Sequence, residues 1–185
     1  AVALNEYRFG IGTVIDLGNM CDIDEVDSLD YLGRDPETEV IGLYIEHTRR
    51  PRELLETART ISRDKPILCL KGGRSGEAAR AMASHTGSIA GQDGLYDALF
   101  RQAGIIRVDE YEDLLLGAKA LLSQPLPRGN RLGIISLTGA MGIQCIDAAA
   151  DNGLVLGELG EGSVERLLAL SPTLAGHPVD LGPAS

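Results

Sequence analysis

A single histidine, His85, lies between small and hydroxyl-bearing residues in the stretch Ser84-His85-Thr86-Gly87-Ser88. The stretch follows an apolar run at residues 67–70 and two glycines, and its composition predicts a loop that leads into a helix. Unpaired backbone amides and the helix dipole favour an anion at such a place. The residues therefore leave two roles open for His85: a phosphoryl acceptor beside an anion site, or a surface-loop histidine that caps a helix.

Glu46 ends an apolar run at residues 40–45, so its carboxylate is predicted to emerge at the carboxyl end of a strand. A carboxylate that accepts a hydrogen bond from Nδ1 of an imidazole fixes its tautomer and leaves Nε2 as the nucleophile. Such a carboxylate would also stabilise the cation that forms when Nε2 takes a phosphoryl group. The alternative is a strand-end carboxylate bound to water or to Arg49.

Two glycine turns are predicted at the same edge of a parallel sheet, where ligands bind in open α/β folds. They are Gly72-Gly73-Arg74 and the turn that begins at Thr138-Gly139-Ala140. Either turn could contact a ligand or simply connect a strand to a helix, and the residues leave both alternatives open. His47 and His177 are predicted to have no chemical role.

Composition excludes several classes of protein. The net charge of −10 over 185 residues argues against a nucleic-acid surface, which needs clustered Lys and Arg. No apolar run is long enough to span a bilayer, so no membrane partner is predicted. The three cysteines share no metal-ligand spacing, which predicts reduced thiols in the cytoplasm and no metal site.

Apolar runs alternate with helical patterns along the chain, which predicts an α/β fold built from βαβ units with a parallel sheet. Strands are predicted at residues 13–18, 40–46, 66–71, 105–108, 132–137 and 154–159. The stretch Gln124-Pro125-Leu126-Pro127 breaks the pattern and predicts a domain at residues 1–127 and half of a second α/β domain at 128–185. The first residue is Ala1 rather than Met, and we expect the sequence to be part of a longer polypeptide.

Several blocks of sequence resemble one family, the NDP-forming acyl-CoA synthetases. These blocks are Leu43-Tyr44-Ile45-Glu46, Lys71-Gly72-Gly73-Arg74-Ser75, the histidine stretch at residues 84–91, and Pro178-Val179-Asp180-Leu181. The family includes ADP-forming acetyl-CoA synthetase and is similar to the α subunit of succinyl-CoA synthetase. The resemblance covers nearly the whole chain. His177 departs from the family, which usually has Asn before Pro-Val-Asp.

The resemblance implies two flavodoxin-like domains, the first a succinyl-CoA ligase-like domain without its first strand here. It also implies a phosphohistidine mechanism in which acyl-CoA and phosphate give an acyl phosphate, and a histidine passes the phosphoryl group to a nucleoside diphosphate. His85 matches that histidine, and Glu46 matches the glutamate that holds it. The phosphate-binding positions implied are Thr86, Gly87, Ser88, Thr138, Gly139 and Ala140. Gly72, Gly73 and Arg74 are further candidates for contact with CoA or phosphate.

The substrates and cofactors that the resemblance implies are coenzyme A or acyl-CoA, phosphate, and ADP or ATP with Mg²⁺. The nucleotide would bind to a domain outside this sequence, so we expect the isolated chain to be inactive. Implied partners are CoA-binding and ATP-grasp domains or subunits, and a homo-oligomer is possible. The alternative function is a non-catalytic, CoA-responsive regulatory domain of a GNAT-type acetyltransferase, in which the histidine motif tends to be degraded. The intact Ser-His-Thr-Gly block favours the enzyme.

Overall fold

The computed structural model describes residues 10–75, 77 and 93–182. The chain divides into two compact units, Ala1–Pro125 and Leu126–Ser185. The dividing point falls within the Pro-rich break, although the second unit's identity as half of a flavodoxin-like domain stays a prediction. The fold is mixed α/β with parallel strands, as predicted.

The first unit alternates helices and strands. In chain order its described elements are α1 (Glu25–Arg34), β1 (Ile41–Ile45), α2 (Pro51–Ile61), β2 (Ile67–Lys71), α3 (Asp93–Ala103), β3 (Ile105–Val108) and α4 (Tyr111–Ser123). The three strands form a parallel sheet in the order β1-β2-β3. Their carboxyl ends therefore lie side by side, with Ile45 opposite Lys71 and Leu70 opposite Val108.

Alternation along the strands decides which side chains reach the core. Every second residue of β1 is buried, and the central strand β2 is buried on both faces. One face packs against α1, α2 and α3 through a cluster that includes Val26, Leu29, Ile41, Leu54, Ala58, Cys69 and Phe100. Helix α4 packs on the other face, where a Cβ at Gly117 would lie 2.5 Å from Leu68 Cδ2. Gly117 therefore allows α4 to approach the sheet closely.

Local signals place the helix ends of this unit. Asp24 forms a capping box with the first turn of α1, accepting from the amides of Val26 and Asp27. Pro51 occupies the first helical position of α2. Gly104 follows α3 with φ +72°, a left-handed conformation in which a side chain is strained.

The second unit contains short strands and two longer helices. Its elements are β4 (Arg131–Leu132), β5 (Ile135–Ser136), α5 (Gly139–Asp151), β6 (Val155–Leu156), α6 (Glu161–Leu170), a 3₁₀ turn (Pro172–Ala175) and β7 (Val179–Asp180). Strand β4 pairs with β6 and β5 pairs with β7, both in parallel. The single strand predicted at residues 132–137 is therefore wrong, because β4 and β5 join different partners.

Two other sequence predictions for the first unit are wrong. Residues 13–17 form no strand, and Gly18 and Met20 turn the chain there through positive φ angles. Helical spacing from Asp93 predicts that Leu95 faces inward, but Leu95 is exposed, because the buried stripe of α3 runs through Tyr96, Phe100 and Ala103.

The second unit gives two similar corrections. Helical spacing after the turn at Thr138 predicts Ile143 on the inner face of α5, but Ile143 is exposed, since Gly142 and Ala149 are the buried positions of that helix. The preference of serine for helix N-caps predicts that Ser163 caps α6, but Gly160 precedes the helix and Ser163 lies inside it. In each case local spacing allowed two positions, and packing selected the other one.

Candidate functional site

The carboxyl edge of the three-stranded sheet brings together polar residues from all three strands. Glu46 follows β1, Gly72-Gly73-Arg74 follow β2, and Asp109 follows β3. The hydrogen bonding between β1 and β2 continues to this edge, because the Gly72 amide donates to the Ile45 carbonyl at 2.9 Å. Glu46 and the glycine turn are thus adjacent, as parallel pairing predicts.

Glu46 is held by a tyrosine on its own strand. Tyr44 Oη donates to Glu46 Oε1 at 3.4 Å, and the two residues lie two positions apart, on the same face of the strand. Desolvation and the nearby carboxylate raise the pKa of Tyr44, so the phenol stays a donor at neutral pH. Arg49, the alternative partner for Glu46, instead donates to the Met20 carbonyl.

The two glycines of the turn serve different purposes. Gly73 has φ +70°, a left-handed conformation that supports the tight-turn alternative. Gly72 is outside that region, but a Cβ there would lie 2.6 Å from Tyr44 Oη. Contact of either glycine with CoA or phosphate stays a prediction.

Lys71 is a buried cation at this edge, and sequence reasoning gave it no role. The residue is 2% exposed, its Nζ donates to the Gly72 carbonyl, and the same atom lies 4.6 Å from the centre of the Tyr96 ring. Burial lowers the pKa of Lys71, while Asp93 opposes that change. A buried lysine is a candidate functional residue, and the available signal was a charge at the end of an apolar run.

An ionic cluster surrounds the start of α3. Arg107 donates to Asp93 Oδ1 at 2.7 Å and to Asp97 Oδ1 at 2.5 Å. Arg74 pairs with Asp109, and its Nε lies 4.0 Å from Asp93. The cluster fixes the first turn of α3, which begins eight residues after His85 in the sequence. Contact of Arg74 with an anion stays a prediction, and in this structure its guanidinium is paired with carboxylates.

The predicted phosphate-binding turn of the second unit lies at the start of α5. Thr138 caps the helix, its hydroxyl accepting from the Met141 amide at 3.3 Å. The first amides of a helix have no partner within it, so Gly139 and Ala140 can offer donors. The carboxylate of Asp180 lies close by, 3.1 Å from where a Gly139 Cβ would be, and would compete with an anion. Phosphate binding by Thr138, Gly139 and Ala140 stays a prediction.

The histidine stretch lies outside the described residues. His85, Thr86, Gly87 and Ser88 are all in this part of the chain, so the pairing of His85 with Glu46 stays a prediction. Of the other histidines, His177 Nε2 accepts from the Ile134 amide at 3.5 Å. Nδ1 of His47 is buried and has no hydrogen-bond partner among the described residues.

Residues 10–75, 77 and 93–182 contain no group of three His, Cys, Asp or Glu side chains arranged to hold a metal ion. Within those ranges, every helix is too short or too polar to cross a membrane.

A known family of domains matches most of the first unit. The model of the family described as "Succinyl-CoA ligase like flavodoxin domain" matches residues 2–121. The chain belongs to this family. The match includes Glu46, the turn at residues 72–74 and His85, and it confirms the resemblance seen in the sequence.

Relatives extend the similarity beyond the family model. The chain is 38% identical over 174 residues to the α subunit of ADP-forming acetate–CoA ligase II of Pyrococcus furiosus, covering 93% of this chain. It is 43% identical over 143 residues, or 76% of this chain, to ADP-forming 4-hydroxybutyrate–CoA ligase of Nitrosopumilus maritimus.

A solved structure has the same fold. Acetyl-coenzyme A synthetase 1 of Ca. Korarchaeum cryptofilum, described as dinucleotide forming and in complex with phosphate and ADP, superimposes with a TM-score of 0.85. It is 37% identical in sequence, and the match covers 92% of this chain and 38% of that one. The chain also spans only 38% of the Pyrococcus subunit and 20% of the Nitrosopumilus enzyme.

Proposed function

We propose that this chain is the phosphohistidine-bearing part of an NDP-forming acyl-CoA synthetase. The observation that carries the proposal is the position of Glu46. Its carboxylate lies at the carboxyl edge of a parallel sheet, beside the turn from which the chain continues toward His85. The relatives named above are ADP-forming CoA ligases, which supports the same reaction class.

The reaction has three steps in this proposal. An oxygen of phosphate attacks the thioester carbon of acyl-CoA, and the C–S bond breaks to give acyl phosphate and CoA. Nε2 of neutral His85 then attacks phosphorus, and the P–O bond to the acyl group breaks, releasing a carboxylate. Finally an oxygen of the nucleoside diphosphate attacks phosphorus, the N–P bond breaks, and the imidazole returns to its neutral form.

Glu46 acts in the second and third steps. It accepts a hydrogen bond from Nδ1–H of His85, which selects the tautomer with a free Nε2 and stabilises positive charge on the phosphorylated ring. Thr86, Gly87 and Ser88 would contact the phosphoryl group near His85. Thr138, Gly139 and Ala140 would contribute amides at the start of α5.

The remaining components belong to the whole protein. Acyl-CoA and phosphate are substrates in this proposal, and ADP or ATP with Mg²⁺ binds to an ATP-grasp domain or subunit. A CoA-binding domain or subunit is the other partner.

Phosphorylation of His85 in the full-length protein tests the proposal. Incubation with acyl-CoA and phosphate, without nucleotide, should give an acid-labile phosphoryl group that mass spectrometry locates on His85. His85→Ala should abolish nucleoside triphosphate formation, and Glu46→Gln should slow phosphorylation by about 10²-fold or more, since it removes a group that acts directly on the nucleophile.

Glu39→Gln is the matched control, because it neutralises an exposed acid at the other end of β1. It should leave the rate unchanged. Normal triphosphate formation by the His85→Ala protein would refute the proposal. CoA binding without any phosphorylation of the wild-type protein would favour a regulatory domain instead.

A further inference from the structure

We propose that Tyr44 is a positioning residue for Glu46, and that residue 72 is glycine because the Tyr44 hydroxyl occupies the space of its side chain. This inference rests on the proposed function and assigns Gly72 a role other than binding CoA or phosphate. It concerns three residues at one edge of the first unit, all of them described by the structure.

The geometry brings the three residues into one contact. Tyr44 and Glu46 are two positions apart on one face of the strand, and Tyr44 Oη donates to Glu46 Oε1 at 3.4 Å. Gly72 follows β2, directly beside them. A Cβ at Gly72 would lie 2.6 Å from Tyr44 Oη, 3.1 Å from Cζ and 3.4 Å from Cε2. The end of the tyrosine ring therefore rests on the backbone of the turn.

Backbone conformation does not explain the glycine at position 72. The neighbouring Gly73 has φ +70°, whereas Gly72 is outside the left-handed region. An alanine at 72 would have an acceptable backbone but would have to displace the Tyr44 hydroxyl. Space for that hydroxyl is the requirement that the structure identifies.

The contact has a direct consequence for the carboxylate. Donation from Tyr44 engages Oε1 of Glu46, which leaves Oε2 to accept Nδ1–H of His85. The hydroxyl also selects one orientation of a glutamate side chain that would otherwise sample several rotamers at the edge of the sheet. Because the hydroxyl also lies against Gly72 of the adjacent turn, a group that displaces the ring there would disturb the carboxylate too.

A double-mutant cycle in the full-length protein tests this inference. The measurement is the single-turnover rate at which acyl-CoA and phosphate phosphorylate His85. Tyr44→Phe should slow it about three- to tenfold, as expected for one lost hydrogen bond, with the KM for phosphate unchanged. Gly72→Ala should slow it at least as much, because it displaces the hydroxyl.

The combined Tyr44→Phe, Gly72→Ala protein distinguishes a spatial role from ligand binding. Without the hydroxyl, the 2.6 Å contact with the alanine Cβ at position 72 is gone. The nearest ring atom is then Cζ of residue 44, 3.1 Å from that Cβ, and a shift of a few tenths of an ångström relieves this contact. The double variant should therefore be about as fast as Tyr44→Phe alone. If Gly72 contacts CoA or phosphate instead, the rate reductions caused by the two substitutions should multiply, and the KM for acyl-CoA or phosphate should rise.

Two controls match the chemistry of the substitutions. Tyr31 on α1 is 61% exposed, close to the 59% of Tyr44, and Tyr31→Phe should not change the rate. Gly129→Ala adds a Cβ with no atom within 4 Å and should also have no effect. If Gly72→Ala fails to fold, recovery of folding in the double variant supports the inference, and failure of both contradicts it.

The outcomes separate this inference from the proposed function. A wild-type rate in Tyr44→Phe, or multiplied defects in the double variant, would overturn the role of Tyr44 and Gly72 while His85 phosphorylation stands. Absence of phosphorylation in the wild-type protein would overturn the proposed function, and this inference with it.

Discussion

Replacing Arg107 by Met should loosen the start of α3 far more than replacing Arg52 by Met loosens α2. Both arginines pair with carboxylates. Arg107 bridges Asp93 and Asp97 with a side chain that is 15% exposed, whereas Arg52 pairs with Glu56 one turn away and is 89% exposed. The comparison tests whether the partly buried ionic cluster holds the helix that follows the His85 stretch.

The expected size follows from the contacts. Charge-assisted hydrogen bonds contribute about 1.5–3 kcal/mol when well buried. Asp93 and Asp97 are 33% and 46% exposed and will rehydrate when the arginine is lost, so we take about 1 kcal/mol for each. Methionine keeps an apolar stem near Phe100, so packing changes little. The sum of about 2 kcal/mol corresponds to an approximately 30-fold larger equilibrium constant for local unfolding of α3.

Hydrogen exchange followed by mass spectrometry is the suitable assay, because the chain has two units and whole-chain unfolding would mix them. Peptides covering residues 96–108 should exchange about 30-fold faster in Arg107→Met. Arg107→Lys should lie in between, since a lysine cannot bridge two carboxylates with a planar fork. Arg52→Met should change exchange in α2 by about twofold or less.

Salt provides a second check on the same reasoning. The small effect at Arg52 should vanish in concentrated salt, while most of the Arg107 effect should persist because the pair is partly shielded from solvent. Equal effects of the two substitutions, or less than about a threefold change in Arg107→Met, would refute the argument. The ionic cluster would then contribute nothing to the stability of α3.

Two further predictions concern Cys69 and Gly104. Burial raises the pKa of Cys69 to about 12, so at pH 8 a thiol reagent should modify Cys21 and Cys145 but not Cys69. Between pH 9.0, the ordinary pKa of a cysteine thiol, and pH 12, the folded protein holds a proton on Cys69 that the unfolded chain loses. The free energy of unfolding should therefore fall as pH rises through that window, and Cys69→Ala should remove this dependence. Rapid modification of all three thiols in the native protein would contradict the prediction. Gly104→Ala places a Cβ at φ +72° and 2.6 Å from Ser62 Oγ, and should speed exchange in the first unit by the equivalent of about 2 kcal/mol. An unchanged exchange pattern, like that expected of Gly129→Ala, would show that the turn adapts.

Much of the first unit was predictable because its signals are local. Apolar runs bounded by turns indicated β1, β2 and β3, and the caps at Asp24 and Pro51 depend on neighbours within a few residues. The failures at residues 13–17 and at Leu95 have a different origin. A strand forms only where another strand pairs with its backbone, and the buried face of a helix depends on the surface that packs against it. Neither partner can be identified from the residues nearby in the sequence.

In the candidate site too, some features were predictable from the sequence and others were not. Parallel pairing follows from the alternation of strands and helices, so the meeting of Glu46 with the glycine turn at one edge was predictable. The identity of the carboxylate's partner was not, because Arg49 and Tyr44 are both close in sequence and only the structure selects Tyr44. The pairing of Glu46 with His85 stays a prediction.

By itself the sequence determined the α/β class, the family and the carboxyl edge where Glu46 emerges. Only the tertiary structure decided that Lys71 is buried against Tyr96, that Arg107 bridges Asp93 and Asp97, and that the Tyr44 hydroxyl fills the space at Gly72. The physical reason is the same for all three contacts. Each depends on the register between separate elements, and a shift of one residue would turn these side chains to the opposite face.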